Sequence, residues 1–556
     1  MLSSFAKRVV RPCDASRRRF FGRVRAGHPL AGISFALLAA ILASGGLALV
    51  SPLLAQDAAT ATQAATQAAT DAPMPVAGAA DSATADSAAA VANAAAADSA
   101  AAAANAAAAD AGHSLSRDLP LVSVLPFGLM LLGIAVFPLV APHWWEHNKN
   151  RAIVAAVLAV PVAVYLLVTG GSEGVHVLIE KAEEYIAFIV LLTALFVISG
   201  GIYVQGSFSG TPLVNSAVLA LGAVLANFIG TTGASMVLIR PLLRANASRR
   251  NKAHIVIFFI FVVSNCGGLL TPLGDPPLFL GFLKGVPFEW TLGLWKQWLT
   301  ANVLLLVVFN IWDQIALNRE EKTTAGSLLD KVQEHEPFRL VGATNIAFLA
   351  GVVVVIYSAG RWSWPFGVAE ACMAVLTVLS YITTPSSNRE RNRFGFGPII
   401  EVAVLFAGIF VTMAPALLIL NAWGQGQREV FGAGFGLSEP WQFFWASGIL
   451  SSFLDNAPTY LTFSATACGL KGIATEGRFL AEFLAQGEAA QMLLAAISCG
   501  SVFMGANSYI GNGPNFMVKA IAEENGVRMP GFFAYMAYSG AILVPIFIVI
   551  TLVFFR

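Results

Sequence analysis

From Leu119 to the last residue the chain is a succession of apolar runs, most of them about 20 residues long, separated by short polar turns. A run of that length matches the hydrocarbon thickness of a bilayer when it is helical. In hydrocarbon every backbone N–H and C=O must be bonded within the protein, which restricts a spanning segment to a helix or a closed barrel strand. The runs here are too long and too uniformly apolar for barrel strands, which alternate over about 10 residues. The fold class that follows is an all-α polytopic membrane protein.

Composition agrees. Of the 556 residues, 57% are hydrophobic and 12% charged, against about a quarter charged in soluble domains. The net charge of +1 and the lack of a basic tract give no sign of nucleic acid. The five cysteines, Cys13, Cys266, Cys372, Cys468 and Cys499, form no CxxC pair and read as small apolar packers. Neither GxxxxGK[ST] nor HExxH is present, so no enzyme class is indicated and no cofactor is expected.

Residues 1–56 read as a signal peptide or signal anchor: arginine-rich at first ("SRRRFFGRVR"), then apolar from Pro29 to Leu54, with cleavage expected near Ala55. Residues 57–118 are an Ala-rich low-complexity linker with almost no large apolar residue.

Ten spans are expected: 119–142, 152–169, 185–205, 253–286, 292–316, 343–360, 367–384, 398–420, 491–524 and 530–555. Two more apolar stretches, 211–246 and 440–468, carry polar breaks and read as re-entrant hairpins. With Leu119 outside, the turns "HWWEHNKNR", "ASRRNK", "NREEKTTAGSLLDKVQEHEPFR" and "SSNRERNRF" all fall inside, and all are rich in Lys or Arg. The expected location is a bacterial-type inner membrane, with the lipid bilayer as partner.

The chain also repeats itself. "LLTALFVISGG" (191–201) matches "LFAGIFVTMAP" (405–415), and each is followed by two broken apolar segments. The breaks pair as "FIGTTGAS" (228–235) with "FLDNAPTY" (453–460), and "TPLGDPPLFL" (271–280) with "YIGNGPNFMV" (509–518). On the loop-charge topology the two halves run in opposite directions. This predicts two inverted repeats, 185–316 and 398–556, each with a re-entrant hairpin and a broken helix. They are preceded by N-terminal helices over 119–184 and separated by a cytoplasmic loop (317–342) and connecting helices (343–397). Inverted repeats broken by Gly and Pro at matching positions mark the binding site of a secondary transporter, because a broken helix exposes backbone groups that can ligate an ion.

Asp275 and Asp455 stand at two of the breaks. An acid at membrane depth costs at least ~2.5–3.5 kcal/mol and so points to a cation or a proton. Both are expected to ligate sodium or another cation. Thr231, Thr232, Asn265, Thr271, Asn456, Thr459, Asn512 and Asn515 supply neutral oxygens and amides at the same breaks. Glu401 reads as interfacial, Lys519, Arg240 and Arg244 as snorkelling bases, and His254 as structural.

The quoted breaks resemble those of the ion transporter superfamily, which includes NhaD-type sodium/proton antiporters, CitMHS-type citrate transporters, arsenite-efflux permeases and dicarboxylate/sodium symporters. "SNCGGLLTPLGDPP" is similar to the family's second broken element, "SSFLDNAPT" to its second hairpin, and "GPNFMVKA" to a further signature. The nearest resemblance is to a citrate-transport branch whose members are often called sodium:proton antiporters. It implies a homodimer, a transport domain holding both hairpins, and an elevator-like movement. A dicarboxylate symporter would carry Ser-Asn-Thr at the hairpin tips; here they read "GTTG" and "DNAPT".

Two functions are therefore expected to compete. Sodium/proton antiport uses Asp275 and Asp455 to bind sodium or a proton. Uptake of citrate or another organic anion would need the backbone N–H groups after the breaks, and coupling cations to offset both acids.

Overall fold

The computed structural model describes residues 119–206, 209–323, 339–430 and 436–556. The signal segment, the Ala-rich linker and most of the 317–342 loop lie outside these residues.

The described chain is almost entirely helical. In order it comprises α1 (Leu125–Val140), α2 (Pro142–Trp145), α3 (Asn148–Ser199), strand β1 (Tyr203–Gln205), α4 (Pro212–Ala245), α5 (Ala253–Val262), α6 (Pro276–Leu283), α7 (Trp295–Thr323) and strand β2 (Arg339–Val341). Then follow α8 (Thr344–Trp362), α9 (Val368–Thr383), α10 (Ser386–Arg391), α11 (Gly397–Gly424), α12 (Pro440–Ser451), α13 (Asn456–Gly469), α14 (Phe479–Ala485), α15 (Glu488–Met504), α16 (Gly513–Glu524) and α17 (Phe532–Phe554). β1 and β2 pair antiparallel, Val204 opposite Leu340, and tie the end of α3 to the start of α8.

Eight helices among the described residues are long and apolar enough to cross a membrane. Two of them fold back on themselves. The 52 residues of α3 would make a rod of about 78 Å, far longer than a bilayer is thick. The chain reverses at Gly171, whose φ of 53° and ψ of −129° leave the helical region. A Cβ on Gly174 would strike the carbonyl of Leu166, a contact that only antiparallel arms can make. The stretch expected as an outer loop, 170–184, is thus mostly helix. Its Glu180, Lys181 and Glu184 form an ion-pair group with Lys284, instead of facing water.

α4 reverses in the same way at Gly230 (φ 73°, ψ 157°). The side-chain amides of Asn215 and Asn246 exchange hydrogen bonds of 2.9 and 3.0 Å at the base of its two arms. Gly222 meets Leu238 midway. This is the hairpin expected over 211–246. The stretch 440–468 is likewise interrupted, between α12 and α13. Spans 253–286 and 491–524 are each split into two helices with an irregular middle: α5 and α6, and α15 and α16. α9, expected as a span, has 16 residues and falls short of the usual spanning length.

Two observations show what solvent the fold requires. Along α7 the exposed apolar residues Trp295, Leu299, Val303, Val307 and Ile311 recur every four residues, forming a stripe suited to lipid. α5, by contrast, is buried from His254 to Val262, so the broken elements are wrapped in protein. There irregular backbone is tolerated.

The helices approach closely through small residues. Gly408 of α11 lies against Ala155 and Met130, and a Cβ there would come within 3.0 Å of both. Beside it Phe188 stacks on Phe406 at 4.8 Å between centroids. Glu401, expected at an interface, pairs with Arg151 at 2.9 Å across the same α3–α11 contact.

Candidate functional site

The tips of both hairpins and the middles of both broken helices meet at one carboxylate. Asp275 precedes Pro276 and Pro277, which open α6, and it is 1% exposed. Its Oδ1 accepts from Thr231 Oγ1 at 3.0 Å and from Asn512 Nδ2 at 3.2 Å. Its Oδ2 accepts from Asn456 Nδ2 at 2.8 Å. These donors come from the hairpin in α4, the start of α16 and the start of α13.

The residues fall in matched pairs. In the repeat alignment Thr231 corresponds to Asn456, and Asp275 to Asn512. Thr231 and Asn456 bind opposite oxygens of Asp275, and Asp275 touches its own counterpart. The supporting bonds match as well. Thr271 Oγ1 donates to the Asn227 carbonyl, and Ser508 Oγ, at the equivalent position, donates to the Ser452 carbonyl, equivalent to Asn227. Each bond fastens the irregular middle of a broken helix to a hairpin tip. Thr271 is thus a brace 44 residues from its acceptor in sequence and makes no bond to Asp275.

Matched glycines close the two crossings. A Cβ on Gly274 would overlap the Gly268 carbonyl, and a Cβ on Gly511 would reach within 2.6 Å of the equivalent carbonyl, that of Gly505. Gly274→Ala is expected to destabilise the protein by about 1–3 kcal/mol, because the clash is with backbone that cannot turn aside. Gly540→Ala, where a Cβ meets nothing within 4 Å, should leave the melting temperature in detergent unchanged.

Behind Asp275 runs a chain of amides. Asn515 Nδ2 donates to the carbonyls of Gly505 and Ser508 at 2.8 and 2.9 Å. Its Oδ1 accepts from Asn265 Nδ2 at 2.7 Å, and Asn265 Oδ1 accepts from Asn512 Nδ2 at 3.1 Å. Asn265 and Asn515 therefore act through Asn512.

The remaining expected residues lie to one side. Asp455 is half-buried and accepts from the backbone N–H of Ala457 at 3.1 Å, capping α13. Thr459 Oγ1 donates to the Asp455 carbonyl at 3.0 Å, inside its own helix. Thr232 is half-buried and adds no hydrogen bond to the cluster. Lys519 pairs with Glu523 at 3.0 Å. Arg244 donates to the carbonyls of Val204 and Gly206. Among the described residues no Lys or Arg bonds to Asp275 or Asp455.

Three features escaped the reading of the sequence. Asn227 braces the first hairpin through its side chain, which accepts from Leu270 N and donates to the Gly267 carbonyl. Ser451 holds the far side of Asn456 at 2.6 Å. Asp313 of α7 is another buried acid. It accepts from His254 Nε2 at 2.8 Å and Asn215 Nδ2 at 2.9 Å, and pairs with the fully buried Arg249 at 2.7 Å. Asp313 falls inside the span read as 292–316, so its position alone could have flagged it. No group of three or more His, Cys, Asp or Glu side chains able to hold a metal occurs among the described residues.

No curated protein matches the chain. One family model does, over residues 116–555, that of the family described as "Putative citrate transport". The match takes in every spanning helix among the described residues, both hairpins and the carboxylate where they meet, and the chain, an integral multi-pass membrane protein, belongs to that transporter family.

Proposed function

We propose that the protein is a secondary active transporter that exchanges a monovalent cation, sodium foremost, for protons at Asp275. The observation that carries this reading is the makeup of the cluster. A buried carboxylate stands among hydroxyl and amide side chains, with no basic side chain among the described residues bonded to it. Carboxylate, hydroxyl and amide oxygens are ligands for hard cations. One carboxylate that holds either a cation or a proton couples the two without further machinery. Asp455, at the second hairpin tip, adds a second carboxyl near the site, its Oδ1 accepting from Ala457 N. On the loop-charge topology the protein sits in an inner membrane, and the resemblance supports a homodimer.

The family description favours a second reading, uptake of citrate with coupling cations. A tricarboxylate would meet Asp275 and Asp455 as like charges. It would bind only after cations had occupied them.

Purified protein in liposomes loaded with a pH-sensitive dye separates the two. A sodium pulse is expected to move protons out of the lumen, lithium to substitute in part, and potassium and citrate to do nothing. Proton movement evoked by citrate and not by sodium alone would overturn the antiport reading.

A further inference from the structure

The three groups on Asp275 differ in one respect: how freely each can turn. Asn512 is locked. Its Nδ2 faces three acceptors, the Ser264 carbonyl at 3.1 Å, Asn265 Oδ1 at 3.1 Å and Asp275 Oδ1 at 3.2 Å. Turning it over would set an oxygen against all three. Asn265 is held in turn by donating to the Ile260 carbonyl at 2.8 Å and to Asn515. Asn515 is held by the Gly505 and Ser508 carbonyls, which only accept. The orientation of this chain is therefore set by backbone.

Asn456 has no such anchor. Its Nδ2 donates to Asp275 and its Oδ1 faces the hydroxyl of Ser451 at 2.6 Å. A hydroxyl accepts as readily as it donates. Ser451 Oγ also lies 2.6 Å from the Ser501 carbonyl. It has one proton and two acceptors, so one of these contacts lacks a hydrogen in the arrangement described. If the Asn456 amide turns over, the conflict disappears. Nδ2 then donates to Ser451, Ser451 donates to Ser501, and Asn456 Oδ1 points at Asp275. That orientation sets two oxygens face to face, so it requires a cation, or a proton on Asp275, between Asn456 Oδ1 and the carboxylate.

We propose that Ser451 is the positioning residue that lets Asn456 turn over when a cation arrives, so that the cation is held by Asp275, Asn456 Oδ1 and Thr231 Oγ1, with Asn512 remaining a donor and never a ligand. This rests on the cation reading above. Ser451 gains one satisfied hydrogen bond in the cation-bound state and so favours that state over the empty, ionised site. The side chain touches no ion itself. Gly505 leaves the space for the turning amide, since a Cβ there would overlap it.

The test is melting of the full-length protein in detergent, titrated with sodium chloride against choline chloride at constant ionic strength, for wild type, Ser451→Ala and Ser451→Thr. Melting without sodium reports whether each variant folds. The sodium Kd fitted from the logarithmic rise of the melting temperature is expected to increase about five- to tenfold in Ser451→Ala, the effect of one net hydrogen bond. Ser451→Thr, which keeps the hydroxyl, should return it to the wild-type value. An unchanged sodium Kd in Ser451→Ala, or a threonine variant as weak as alanine, overturns the role of Ser451 and leaves the cation reading intact. A wild-type protein that sodium and lithium fail to stabilise overturns the cation reading, and this inference falls with it.

Discussion

Asp275→Asn is expected to abolish sodium-driven proton movement in liposomes, a loss of at least about a hundredfold. The substitution keeps the shape of the side chain but removes the charge at the centre of the cluster. A charged hydrogen-bonding contact is worth up to ~3 kcal/mol, or about a hundredfold in affinity, and the group that exchanges proton for cation is removed as well. The protein should still fold. The oxygen of the new amide could accept from Thr231 and Asn512, as Oδ1 of Asp275 does. Its nitrogen would face Asn456, which can turn to receive it. Burying a charge costs more than burying an amide, so the variant should melt at the same temperature or higher, with the sodium-dependent shift gone. A variant that melts as wild type and still exchanges sodium for protons would remove Asp275 from the mechanism.

The second large effect concerns stability. Asp313→Ala is expected to cost about 3–5 kcal/mol, because it leaves the charge of Arg249 buried with its closest partner gone. Arg249 and Asp313 have fully buried side chains, and the other acid near Arg249, Glu320, is 3.7 Å from its Nε. Glu320 is also occupied in accepting from the backbone N–H groups of Arg250 and Asn251. The loop between α4 and α5 is thereby held against α7. Replacing both partners, as Arg249→Leu with Asp313→Leu, should cost less than Asp313→Ala alone. Melting curves of the two variants decide it: a double variant that loses more than Asp313→Ala would show that the cost does not come from stranding the charge of Arg249.

The structure also shows where the sequence could be read and where it could not. The breaks at Gly230, 264–275, 452–455 and 505–512 were legible because Gly, Pro and Asp are rare inside apolar helices, and each carries a local cost that stands out. The pairing of the breaks was legible because both halves keep the same punctuation. Thr231, Asn456, Asp275 and Asn512 followed from that pairing and meet at one point. The split of the candidate residues into two groups was not legible. Asp455, Thr459 and Thr271 have the same chemistry and the same place in the pattern. Yet Asp455 and Thr459 bond within their own turn of helix, and Thr271 to a hairpin backbone. An acid after Leu454 and an acid after Gly274 look alike until the backbone turns one inward and leaves the other half-exposed. The outer loop expected over 170–184 failed for a similar reason. Its charges are those of a polar turn, but Lys284, 104 residues beyond Glu180, buries them in an ion-pair group.

What the sequence determined by itself was the solvent and the interruptions. Apolar length specifies a bilayer, and glycine, proline and aspartate specify where its helices must break, since these are local costs that neighbours cannot hide. What only the tertiary structure decided was which polar group faces which. Hydrogen bonds between Asn265 and Asn515, or between Asn456 and Asp275, join residues 250 and 181 positions apart. No local preference encodes such a bond. It exists because packed helices and close glycine crossings bring the four breaks to the same depth.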